Sequence, residues 1–162
     1  MASEHDERLK KLGEEVPPAS TPGANYVPFV TGGGLLYLAG QIPRRGDRID
    51  WKGRIGETLT TEEGYKAARS CALNLIVQIR EACGGSLARV VRIVKLTGFV
   101  NCTADYPDVP KVINGASDAF VEVFGDAGRH ARSAVGLASL PRGVSVEVEA
   151  IVEIAPEQHW KR

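Results

Sequence analysis

The 162-residue chain is 43% hydrophobic and 25% charged, the balance of one globular domain that buries about two-thirds of its unfolded surface. Twenty basic and twenty acidic side chains cancel to a formal net charge of zero, so no overall field draws in nucleic acid or an anionic membrane surface. With no apolar run of about eighteen residues and no charged-then-apolar leader at the start, a cytoplasmic location without a membrane partner is expected.

The first fifteen residues, MASEHDERLKKLGEE, carry only Leu9 and Leu12 as large aliphatics after Met1. They can form a short helix but offer little apolar surface to anchor one, so residues 1–16 are expected as a peripheral charged extension. Beyond VPPASTPGA, the runs YVPFV and LLYLAGQI are β-rich, and the TGGG between them supplies the positive φ angles of a hairpin turn. No Lys-Ser/Thr pair follows these glycines, so turn chemistry accounts for them without a bound phosphate. RRGDRIDWKGRIGE is basic with interleaved aspartates and reads as an exposed strand or loop around Ile49 and Trp51.

From Thr60 or Thr61 an N-cap and two glutamates open a helix. Its apolar residues Ala68, Cys71, Ala72, Leu75, Ile76 and Ile79 recur at helical spacing until CGG stops it. VVRIVKLTGFVN is a long β-branched strand. A second helix follows through YPDVPKVINGASDAFVEVF, with Pro110 in its first turn and Val112, Ala116, Ala119, Phe120 and Val123 on its apolar side. Cys71, Cys83 and Cys102 are odd in number and lack metal-ligand spacing, so reduced, buried thiols and no metal site are expected.

ARSAVGLASLPRGVSVEVEAI, residues 131–151, reads as an antiparallel hairpin turning at LPRG. Val146, Val148, Ala150, Val152 and Ile154 alternate onto one face, which should meet the helices. Val135 and Leu137 are expected to join them, which puts Arg132, Ala134, Gly136 and Ala138 on the opposite face with Glu147 and Glu149. That surface is an arginine, a floor of small side chains and a carboxylate. It fits a carboxylate-binding cleft, since guanidinium is a donor fork and a nearby glutamate can orient water. It equally fits a plain cross-strand salt bridge. The mixed face is also what subunit contacts look like. Paired strands alternating with single helices give an α+β sandwich, a mostly antiparallel or mixed sheet covered on one face by two helices.

The ordered set NYVPFV, LAGQIP, VINGASDAF, ARSAVGLASLP and VEVEAI resembles the Rid family of reactive-intermediate deaminases, also known as YjgF-like or L-PSP endoribonuclease proteins. The likeness covers residues 17–155, read as one domain, and leaves 156–162 as a tail. It implies a chorismate-mutase-like fold assembled as a homotrimeric barrel, with a small carboxylate-bearing ligand in each intersubunit cleft. It implies hydrolysis of enamines and imines such as 2-aminoacrylate to a 2-oxo acid and ammonia, with no cofactor. By the same resemblance Arg132 grips the substrate carboxylate and Glu147 handles the attacking water, both projecting from one side of the closing ribbon. Tyr26, Gly40, Gln41 and Asn114 match further cleft positions, although Tyr26 also suits packing and Asn114 a bond to backbone. Ala134 stands where the proven deaminases carry a cysteine, and Ala39 where they carry a serine. Those losses keep a noncatalytic carboxylate-binding trimer open as the alternative; a ribonuclease finds little support in the neutral charge. His130 is read as a loop histidine, and His5 and His159 have no assigned role.

Overall fold

The computed structural model describes residues 2–157, so His159 and the end of the tail lie outside the described residues. The elements are α1 (Glu4–Lys11), β1 (Phe29–Gly32), β2 (Leu35–Gln41), β3 (Arg44–Arg45), β4 (Arg48–Ile49), α2 (Thr61–Ala82), β5 (Val90–Asn101), α3 (Val109–Phe124), β6 (Ala131–Leu137) and β7 (Val146–Ile154). Five strands form one mixed sheet in the order β1-β2-β7-β5-β6, and β3 pairs with β4 in a small separate arm. The helices α2 and α3 pack on one face, giving the expected α+β sandwich. No described helix is long and apolar enough to cross a membrane.

Local chemistry explains the elements closest to the site. Gly33 and Gly34 both take positive φ, 61° and 79°, which suits the two-residue turn between β1 and β2. Thr60 and Glu63 cap α2 reciprocally: Glu63 N donates to Thr60 Oγ1 at 3.2 Å and Thr60 N to Glu63 Oε2 at 2.8 Å, an arrangement worth about 1 kcal/mol. The apolar stripes of both helices are fully buried, Cys71 among them. Burial, then the charge of Glu147, pushes the Cys71 thiol well above its usual range, so it is an inert packing group. Phe120 and Phe124 stack at 6.1 Å in the same core, where truncating either to Ala costs about 3–5 kcal/mol.

The C-terminal hairpin does not form. β6 and β7 are both strands, yet β5 lies between them, antiparallel to β7 and parallel to β6. Parallel neighbours need a crossover, and α3 is that crossover between β5 and β6. The LPRG segment is instead held against the loop after β4: Gly53 N donates to Gly143 O at 2.9 Å and Ser145 N to Trp51 O at 3.1 Å. The face assignment changes with the pairing. Arg132, Ala134 and Gly136 align with Leu96, Gly98 and Val100 of β5 on the helix side, where a Cβ on Gly136 would meet Cys102 Sγ and one on Gly98 would meet Ile113. Val135 and Leu137, expected in the core, are exposed on the open face.

The N-terminal segment is a docked helix. Leu9 is buried at 2% exposure, and Asp6 accepts hydrogen bonds from Ser86 Oγ at 2.6 Å and Leu87 N at 2.9 Å. Burial works to raise the Asp6 carboxyl; the bonds from Ser86, Ser3 and Leu87 outweigh it and lower the pKa to about 2.

Candidate functional site

The site residues separate into two groups on opposite faces of the sheet. Arg132, half-buried on the edge strand β6, turns its guanidinium under the start of α3. Its Nη1 donates to Asn114 Oδ1 at 2.9 Å and to Ser117 Oγ at 3.1 Å, and Nη2 donates to Pro110 O at 3.4 Å. The two hydrogens of Nη1 are thereby used. The Nε–H beside Nη2 has no acceptor among the described residues, so one edge of the fork faces outward. Ala134, two residues on, packs against the core and carries no polar group toward this edge. Ser117 was not foreseen. It lies one helical turn after Asn114 and therefore shares its face.

Glu147 projects from β7 on the other face, in one row with Phe99 of β5 and Val135 of β6. It lines a cleft of about 710 Å³ with Tyr26, Ala39, Gly40, Gln41, Arg44 and Arg142. The register between β2 and β7 slips between Leu38 and Gln41. This bulge brings Gly40 so close that a Cβ there would run into the Glu147 carboxylate. Gln41 is buried and turns its amide toward Ala39 O at 3.4 Å. Tyr26 is 52% exposed at the cleft wall, so it has no packing role in the isolated chain. Arg44 and Arg142, also unforeseen, give the cleft wall two cations; Arg142 holds a left-handed φ of 58°.

Burial first, then the neighbouring Glu149, raises the Glu147 pKa from its ordinary 4.5, and no hydrogen bond to the charged form opposes this. The carboxylate is half-buried and open to the cleft, with no partner among the described residues. Such a group can hold a water or take its proton.

The expectation that Arg132 and Glu147 share a face of one ribbon is thus overturned. They stand on β6 and β7 with β5 between, about 10 Å apart by strand spacing, and diverge to opposite sides. Asn114 and Ala134 belong with Arg132; Tyr26, Ala39, Gly40 and Gln41 belong with Glu147. Within one chain the two groups cannot act on one small molecule.

The comparisons bear on which family the chain belongs to. Residues 6–150 match the family model described as "YjgF/chorismate mutase-like, putative endoribonuclease". Protein TCP17 of Trypanosoma cruzi is 46% identical over 90% of this chain and 91% of its own. A crystal structure from Shewanella oneidensis, titled as an endoribonuclease candidate, superimposes with a TM-score of 0.88 at 34% identity, covering 93% of this chain and 99% of that one. At greater distance, the structure of E. coli TdcF with bound serine covers 87% of this chain and 95% of that one, at 25% identity and a TM-score of 0.57. A mixed five-stranded sheet backed by two helices, an edge-strand arginine and a match over nearly the whole domain lead to one assignment: the chain belongs to the YjgF/RutC family, the Rid or YjgF-like proteins.

Proposed function

We propose that this protein hydrolyses small imines and enamines of 2-amino acids in clefts between protomers of a homotrimer, in the cytoplasm and without a cofactor. Arg132 of one protomer anchors the substrate carboxylate, and Glu147 of its neighbour positions the water. The observation that carries this reading is the donor edge that Arg132 keeps: Asn114 and Ser117 occupy Nη1 and Pro110 O takes one hydrogen of Nη2 at 3.4 Å, which leaves Nε–H and the second Nη2 hydrogen as the side that meets a carboxylate. The serine in TdcF, a small carboxylate on a related fold, supports that ligand class. The open sheet face supports association, since it exposes Val30, Tyr37, Val135 and Leu137 among charges, too apolar for plain solvent.

The chemistry asks little of the protein. An enamine such as 2-aminoacrylate gains a proton at C3 and loses one from nitrogen to become the imine, whose C2 is electrophilic. Water bonds to C2 while Glu147 takes one of its protons and passes it to the nitrogen; the proton left on the new hydroxyl then moves to nitrogen as the C2=O bond forms, the C–N bond breaks and ammonia leaves. Holding carboxylate and water at fixed separation supplies much of the rate. Tyr26, Gly40, Gln41 and Asn114 complete the proposed cleft.

A noncatalytic carboxylate binder is the second reading, favoured by Ala39 and Ala134, which supply neither hydroxyl nor thiol to the ligand. A coupled assay separates the two: generate 2-aminoacrylate in situ, add protein, and follow the 2-oxo acid. Rate enhancement that falls by roughly a hundredfold or more in Arg132→Ala is expected. Carboxylate binding without enhancement establishes the second reading, and Arg132-dependent RNA cleavage would overturn both. The shared site has its own test. Co-refolded Arg132→Ala and Glu147→Gln chains, each inactive alone, should regain about a quarter of wild-type activity, because random mixing rebuilds that share of sites. No recovery would place the site within one chain.

A further inference from the structure

Behind Arg132 runs a hydrogen-bond chain that this chemistry leaves unused. His130 Nδ1 lies 2.6 Å from Gly128 O, which can only accept, so Nδ1 carries the proton. His130 Nε2 lies 2.9 Å from Ser117 Oγ. With a neutral ring that nitrogen is an acceptor, and the Ser117 hydroxyl must donate to it. The serine lone pairs are then turned toward Arg132 Nη1, 3.1 Å away. One backbone carbonyl thereby fixes the polarity of every bond out to the guanidinium.

Neutrality of the ring follows from its surroundings. His130 packs edge-on against Phe120 at 6.1 Å, and burial, aided by the Arg132 charge, pushes its pKa down against the Gly128 bond. Among the described residues no carboxylate pairs with the ring, and the charge that acts on it is that of Arg132. On α3 it faces Ser117 and Phe120, while Asp118 is bonded to Tyr65. Arg129 is paired with Asp126, and Lys95 of β5 donates to Ser133 Oγ.

We propose that Ser117 and His130 are positioning residues for anion binding, holding the Arg132 guanidinium so that its Nε–H and Nη2 edge faces the ligand. This rests on the reading of Arg132 as the carboxylate anchor. Without the serine, the guanidinium is held by Asn114 and the longer bond to Pro110 O, with one Nη1 hydrogen unbonded; Ser117 fixes that hydrogen.

The test uses the full-length protein with pyruvate as probe. Dissociation constants are measured for wild type, Ser117→Ala, Ser117→Thr, His130→Phe and the Ser117→Ala/His130→Phe double variant, with melting temperature followed in parallel. His130→Phe keeps the contact with Phe120 but cuts the chain. Both single losses should weaken pyruvate about tenfold, the double no more than either alone because they break one chain, and Ser117→Thr should restore binding. In the imine assay the loss should appear mainly in KM with kcat within about twofold, since these variants loosen the anchor while Arg132 still places the bound carboxylate. Wild-type affinity in Ser117→Ala and His130→Phe, or a melting loss with unchanged affinity, overturns the proposal. If wild type does not bind pyruvate, or Arg132→Ala binds it equally well, the anchor reading itself fails, and that result is distinct.

Discussion

The two halves of the candidate site are built on opposite plans. Around Arg132 the donors are pinned: Asn114, Ser117 and Pro110 O hold the guanidinium, and His130 holds Ser117. Around Glu147 nothing is pinned. The carboxylate lies over Gly40 in an open cleft, with no hydrogen bond to its charged form. A group that only binds can be fixed in advance, because its charge does not change during the reaction. The proton exchange proposed for Glu147 needs a poised pKa and room for water, which an unsatisfied carboxylate provides at some cost to the fold.

Four changes would break or sharpen that contrast. The largest effect is expected from Glu147→Gln, which should lower kcat by on the order of 10²–10³ while pyruvate affinity stays near wild type; an equal loss of affinity would mean that Glu147 also binds. Next, Gly40→Ala drives a Cβ against the carboxylate. The unpinned carboxylate can swing away, so roughly tenfold lower kcat/KM with little loss of stability should follow, read by steady-state kinetics and denaturant melts.

The acid limb of the rate profile comes third. Burial, then Glu149, raises the Glu147 pKa above 4.5, so activity that needs its carboxylate should fall, as pH drops, at a midpoint above that value. Glu149→Gln should move the midpoint down. The same sign governs stability. A carboxyl with a raised native pKa favours the fold below its unfolded pKa and loses that contribution as pH rises. Glu147→Gln should therefore be slightly more stable than wild type at pH 7, and the difference should vanish as pH falls below the carboxyl's unfolded value.

The smallest change in activity belongs to Asp6→Ala, far from both halves. It removes the anchor of α1, so stability should drop by on the order of 1 kcal/mol with catalysis unaltered. Because the native carboxyl sits at about 2 rather than 3.8, its contribution is complete above pH 3.8 and fades as pH falls toward 2. Acid denaturation followed by circular dichroism should show that component vanish in the variant.

Much of this was legible in the residues. Thr60 with Glu63, the Gly33–Gly34 turn and the periodicity of both main helices each announce themselves locally. Arg132 and Asn114 were identified together through the ordered motifs, and they do touch. The pairing of β6 was not legible, because adjacency in sequence suggests a hairpin while α3 decides for a crossover. Parity then misled, since Val135 and Leu137 look like core residues only if the second face of the sheet is assumed to be wet. Leu9 was read as too small an anchor for α1; the missing contribution was polar, from Asp6. Ser117 could have been found from its spacing to Asn114. His130 lies two residues before Arg132, although its bond to Gly128 O depends on a turn that no pattern reveals.

The last described strand occupies the middle of the sheet. β7 alone joins the β1–β2 hairpin to the β5–β6 pair in the ladder, so without residues 146–154 the sheet is two pieces with bare ladder edges, bridged through the helices. Loss of that one strand should therefore leave an aggregation-prone product rather than a weakened protein.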